Sequence, residues 1–314
     1  MGVSARERER KQKYLVINCD DFGQSAPMNA AIMHLLEERR VSSATIMAPA
    51  PGFEEAAAWC RKRGQANIGL HLTLTSEFDA LRWPSLTGDS SLHDEGGHMY
   101  RTVLDFERGA NTAAVLLELD AQYERVRKAG ITITHADNHM GSLYGIASGR
   151  SHIPQVLMKC VKWKVPFRLF RRVHPEDMMA AVPGVEGAVA KASALAGTLG
   201  VAIPDYLLSH PFEVEDGETY ESFKRSIIDK LYRLPEGISE TYIHPAVADD
   251  AMLASVPHWE KRVWEYRLML DDDVHAAMKD AGVKLVDYTF IAQHGRDSRL
   301  RSAWRLGAEL LRRG

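Results

Sequence analysis

Short apolar runs alternate along this chain with longer stretches whose apolar residues recur every three or four positions. The first run, Tyr14-Leu15-Val16-Ile17, passes through Asn18 and Cys19 into Asp20, Asp21 and Gly23. A buried strand reads this way where it delivers acids to the rim of a parallel sheet. Met28, Ile32, Leu35 and Leu36 predict a helix over 28–39, and 43–48 predicts a second strand closed by Pro49 and Pro51. A helix over 54–62, stopped at Gly64, leads to a strand over 68–75 with strict alternation. Leu70, Leu72 and Leu74 share one of its faces, and His71, Thr73 and Thr75 the other. Helices at 113–129, 153–163, 220–234 and 259–281 then interleave with strands at 131–139, 166–169, 205–209, 237–244 and 283–286. An amphipathic helix over 298–312, lying on the outside, ends the pattern.

This rhythm of strand and helix carries no low-complexity linker and no internal repeat. It predicts an α/β fold, a single distorted (β/α) TIM-like barrel over 14–314, closed or nearly closed, after a charged extension over 1–13. A doubly wound open sheet is the alternative, but it wants a glycine-rich phosphate loop where this chain has Asp20-Asp21. One insertion, 77–111, breaks the rhythm directly after the His71 strand. Its length and position favour a substrate-covering role, with a small hairpin around 91–100, Trp83 and Tyr100 as candidates to stack on a sugar face, and His93 and His98 facing solvent. The segment 178–200 reads either as a packed helix with a loop or as a dimer contact, so a homodimer is allowed but not required.

Composition narrows the function classes. A net charge of −3 gives no reason to expect nucleic acid as a partner. No stretch approaches the roughly 18 apolar residues of a membrane span, and no signal-like apolar core precedes the first strand, so no membrane partner and a cytoplasmic protein are expected. Cys19, Cys60 and Cys160 form no Cys-x-x-Cys pair, which suits a reducing compartment.

Candidate chemistry gathers at three predicted strand ends. Two adjacent carboxylates repel, and a bound cation can neutralise one while leaving the other free as a base. His71 lies on one strand, and the period of two sets His135, Asp137 and His139 on one side of another. Two imidazoles and a carboxylate make a three-ligand set that leaves coordination positions open for water and substrate. Asp21 and His71 lie 50 residues apart, so only the fold can assemble such a site.

The ordered segments Asn18-Cys19-Asp20-Asp21-Phe22-Gly23, Gly69-Leu70-His71-Leu72-Thr73-Leu74-Thr75 and Thr134-His135-Ala136-Asp137-Asn138-His139 resemble the motif series of the YdjC-like carbohydrate deacetylases. Pro166-Phe167-Arg168, and His244-Pro245 with Asp249, resemble two further motifs of that family. The resemblance implies a distorted (β/α) barrel acting on N-acetylated sugars such as chitooligosaccharides. It implies Asp20 as general base, and Asp21, His71 and His139 as ligands of one divalent metal ion, magnesium or zinc. The chain departs from the family pattern in two places. Met140-Gly141 follows His139 where relatives often carry a run of histidines, and Ala246-Val247 follows His244-Pro245 where Gly-Tyr is common. Both departures bear on substrate choice and leave the implied ligands untouched.

Within that scheme Arg168 would fix Asp20 by a charge-assisted hydrogen bond, and His244 would protonate the departing amine. His135 and Asp137 would orient the ligand imidazoles. Two other readings stay open: a barrel metallohydrolase acting on another amide or a phosphoester, and a carbohydrate-binding protein without turnover.

Overall fold

The computed structural model describes residues 12–64 and 67–311. Most of the predicted 1–13 extension, and Arg312-Arg313, therefore lie outside the described residues. Among the described residues eight strands form one parallel sheet: β1 (Lys13–Phe22), β2 (Ser43–Ile46), β3 (Ile68–Leu72), β4 (Ile133–Asn138), β5 (Arg172–Val173), β6 (Tyr206–Leu207), β7 (Gly237–Ile243) and β8 (Val283–Leu285). The order is β4-β3-β2-β1-β7-β6-β5, with β8 paired to the first residues of β1. The sheet curls into a half-barrel rather than a continuous ladder of eight strands. Between β4 and β5 the chain is joined only by the segment before β5, where Phe167 bridges Ala136 and the Arg168 amide donates to the Ala136 carbonyl at 2.9 Å.

The helices are α1 (Ala26–Glu37), α2 (Phe53–Arg63), α3 (Val103–Gly109), α4 (Thr112–Lys128), α5 (Ile153–Trp163), α6 (Val185–Leu199), α7 (Tyr220–Tyr232), α8 (Asp250–Ser255), α9 (Trp259–Leu270), α10 (Asp272–Asp280), α11 (Tyr288–His294) and α12 (Arg299–Leu311). Strand alternation sorts the residues. Leu15, Ile17, Cys19, Ala44, Ile46, Leu70 and Leu72 join the main core beneath the helices. The alternate positions Asn18, Asp20, Ser43, Thr45, His71, His135, Asp137 and Glu240 are buried and polar. Below them, Val16 and Ile238 meet Tyr288 and Ile291 of α11 in a separate apolar cluster. The polar positions thus rest on an apolar floor.

Several predicted elements come out differently. The helix expected over 259–281 breaks at Asp271, whose extended backbone and carboxylate, accepting from the Asp273 amide at 3.0 Å, start α10 anew. Local bonding of this kind competes with the helical ladder, and Tyr220 reinforces it by donating to Asp271 at 2.7 Å. The strand expected over 166–169 is reduced to a single bridge. Segment 178–200 contains α6, against which α12 packs.

The insertion holds helix α3 and only one antiparallel bridge, His93 to Met99, in place of a hairpin. Trp83 is buried with Met47, Ala50 and Met99, so it offers no open face for stacking on a sugar. An indole released at this spot would expose its full apolar area, and packing wins. His93 is likewise not simply solvent-facing, because its Nε2 accepts from the Ser85 amide at 2.9 Å.

Close packing on the concave side has a measurable consequence. A Cβ on Gly69 would sit 2.5 Å from the His135 ring. That ring stacks on Tyr288 with centroids 3.7 Å apart and cannot retreat. Gly69→Ala is expected to cost about 1–3 kcal/mol by overpacking, read as a lowered urea midpoint with unchanged slope.

Candidate metal centre

Asp20 and Asp21 should face opposite sides of β1, since successive side chains alternate. They do not, because the β1–β2 register shifts between Cys19 and Phe22 and Asp21 takes φ 63°. A left-handed aspartate inside a bulge is costly and re-aims a side chain, a combination concentrated at functional sites. Both carboxylates end up buried.

Cross-strand register supplies the next contact. His71 of β3 lies directly opposite Asp137 of β4, and His71 Nδ1 is 2.7 Å from Asp137 Oδ1. Thr45 donates to the other oxygen of Asp137 at 2.9 Å. His139, just past β4, sets its Nε2 2.8 Å from Glu77 Oε2. Each imidazole therefore has a carboxylate on one nitrogen, which orients the ring and leaves the other nitrogen free to bind.

Those other nitrogens converge. His71 Nε2 lies 3.5 Å and His139 Nδ1 3.2 Å from Asp21 Oδ1. That oxygen is buried without a hydrogen bond. Ligand atoms of Asp21, His71 and His139 all lie within 4.8 Å of one another. An orphaned carboxylate oxygen facing two ring nitrogens fits a divalent cation, and the nitrogen-rich donor set suits zinc or a similar transition metal, without excluding magnesium. A second grouping, Asp20, His71 and Asp137, is also close. Two of its members, His71 and Asp137, already hold each other through His71 Nδ1.

Arg168 is the second focus. It donates to Asp20 through Nη1 at 2.6 Å and Nη2 at 2.7 Å, and to Glu240 through Nε at 2.9 Å. Its Nη2 also lies 2.9 Å from Asp137. Burial pushes the Asp20 carboxyl up, but Arg168 and His71 outweigh it and hold the group down at about 2. His244 Nε2 stands 3.9 Å from Asp20 Oδ2, and its Nδ1 is buried without a hydrogen bond. Burial lowers its pKa, so the ring is neutral at rest. His135 bonds Asn18 at 3.2 Å and stacks on Tyr288, away from the convergent nitrogens.

The model of the family described as YdjC-like protein matches residues 14–280. This chain belongs to the YdjC-like family. Among its relatives, a carbohydrate deacetylase of Geobacillus stearothermophilus is 27% identical over 277 residues, covering 88% of this chain and 97% of the relative. A carbohydrate deacetylase of Brevibacillus brevis is 27% identical over 279 residues, covering 88% and 98%. A solved structure from Enterococcus faecalis, described as a candidate cellobiose-phosphate cleavage protein, superposes with a TM-score of 0.71 at 24% identity, covering 89% of this chain and 98% of that one. That structure and this chain thus share one fold.

Sequence reasoning missed several residues of the YdjC-like site. Glu240 was within reach, since it lies two positions before Tyr242 and four before His244 on the same face of β7. Glu77, as the acid following the His71 strand, gave a weaker signal. Nothing local pointed to Arg262 of α9, which donates to Asp21 Oδ2 at 3.0 Å, or to Glu265, which accepts from the His244 amide at 2.7 Å.

Two outcomes test the centre. Burial favours neutral rings, yet Asp137 and Asp20 raise His71 to about 10, and Glu77 and Asp21 raise His139 to about 9, in the metal-free protein. A metal must displace those protons, so binding at neutral pH should release protons and weaken as pH falls. Calorimetry in buffers of different ionisation enthalpy checks this; identical heats would contradict it. Glu77→Gln should weaken metal affinity by about tenfold or more, by loosening the His139 ring.

Proposed function

We propose that this protein is a metal-dependent hydrolase that removes the acetyl group from an N-acetylated amino sugar or oligosaccharide. The observation that carries the reading is the orphaned Asp21 oxygen facing His71 and His139, set beside an ionised Asp20. The relatives' description as carbohydrate deacetylases supports the substrate class.

Asp21, His71 and His139 would hold the ion. When bound there, a divalent metal lowers the pKa of water and polarises the acetyl carbonyl. Asp20 takes the proton of the attacking water. Its Oδ1 already accepts from Arg168 and Asn18, whereas Oδ2 accepts only from Arg168 and faces His244. The free lone pair of Oδ2 is therefore the acceptor. Asp20 passes the water's proton to the neutral His244, and the imidazolium so formed gives it from Nε2 to the leaving amine as the carbon–nitrogen bond breaks, which restores both groups and balances protons over one turnover. Arg168 and Glu265 act as positioning residues, one for the base and the other for the His244 backbone.

Acetate release from N-acetylglucosamine mono- and oligosaccharides, by metal-stripped protein with single metals restored, tests the reaction. Asp20→Asn should retain metal and lose at least ~10²-fold in turnover, whereas His71→Ala should lose both. Phosphate release from sugar phosphates without any deacetylation would overturn the assignment.

A further inference from the structure

Helix α12 lies beyond residue 280, where the match to the family ends. It is mounted in an unusual way. The side it turns to α6 centres on Ser302, which is 1% exposed and would meet a Cβ placed on Gly197. The opposite side carries Leu300, Trp304 and Leu311, exposed by 86%, 75% and 83%. Steps of four and seven residues align these three on one stripe, directly away from the protein. An ordinary surface helix does the reverse.

The surroundings of the stripe are basic. Residues 296–311 contain Arg296, Arg299, Arg301 and Arg305 against Asp297 and Glu309, in a chain whose net charge is −3. Where α12 starts, a cavity of about 140 Å³ lies between α5 and α12, lined by Val161, Lys164, Gly200, Arg296 and Arg299 among others. Among the described residues, Lys164, Arg296 and Arg299 make no ion pair. Three cations around a small cavity, beside an outward apolar stripe, suit a ligand with an anionic head and an apolar remainder.

We propose that α12 docks this protein on an anionic phospholipid surface, with Leu300, Trp304 and Leu311 entering the acyl boundary and a headgroup phosphate seated by Lys164, Arg296 and Arg299. Helices with this charge pattern and a tryptophan on the apolar side lie in the membrane interface without crossing it. No helix among the described residues is long and apolar enough to cross a membrane, which agrees with a surface attachment. A second copy of the chain fits less well. Three side chains supply too little area for the ~800 Å² per partner of a specific dimer, and a two-fold contact would bring the arginines of both copies together. A nucleic acid would leave the apolar stripe uncovered.

Co-sedimentation of the full-length protein with phosphatidylglycerol vesicles, and with phosphatidylcholine vesicles, tests the proposal. Binding is expected to the anionic vesicles only and to fall with added salt. The triple variant Leu300→Ser, Trp304→Ser, Leu311→Ser should bind about tenfold or more weakly, with far-UV circular dichroism unchanged. Lys164→Gln with Arg299→Gln, leaving the stripe intact, should reduce the preference for anionic over neutral vesicles. Inorganic phosphate should not reproduce the effect by competing at millimolar levels if the lipid surface is the ligand. Equal binding by the variants, no binding to either vesicle, or a change from dimer to monomer in the triple variant would overturn the proposal.

Discussion

Arg168 reaches carboxylates from three separate strands: Asp20 of β1, Asp137 of β4 and Glu240 of β7. It also lies over the Tyr242 ring, 4.7 Å from its centre. The segment carrying it is held to β4 by main-chain hydrogen bonds rather than by a full strand. The guanidinium therefore ties together the side of the sheet where the ladder is thinnest. Removing one partner from a buried ionic cluster leaves charges without compensation, at a cost of about 3–5 kcal/mol. Asp20, His71 through Asp137, and the end of β7 all take their positions from this one group.

Carboxylates outnumber guanidiniums on the concave side of the sheet. Asp20, Asp21, Glu77, Asp137, Glu240 and Glu265 gather there, while Arg168 and Arg262 are the guanidiniums that answer them. Burial makes such an excess expensive unless protons or a metal offset it. In the metal-free protein the protons sit on His71 and His139, between carboxylates on either side. The same arrangement that favours those protons would suit the rings to a metal, because both depend on Asp137 and Glu77 fixing the far nitrogens. The bulge at Asp21 carries the local strain that brings its oxygen to the meeting point.

The proposed chemistry and the proposed surface attachment use separate parts of the molecule. The first depends on polar residues on the inner face of the sheet, above the apolar floor of Val16, Ile238 and Tyr288. The second depends on a helix added outside α6, whose apolar residues are turned away from the core. Surface attachment would set where the site works without touching its geometry.

Period-two alternation and the placement of acids and histidines at strand ends made the α/β rhythm legible from the sequence, with Asp20, Asp21, His71, His135, Asp137 and His139 as candidates, from which the resemblance to the YdjC-like family picked Asp21, His71 and His139 as ligands. Those features are local, and local spacing determines which face a side chain takes. Arg262 and Glu265 come from one helix, and no spacing in the sequence relates that helix to Asp21 or His244. The break at Asp271, the burial of Trp83 and the outward stripe of α12 likewise follow from what each element packs against. Read along the chain alone, the residues specify most of the strands, their faces and the chemical groups they carry. Which groups meet is a property of the folded sheet, because contacts such as Arg168 with Asp20, 148 residues apart, exist once the sheet has curled and not before.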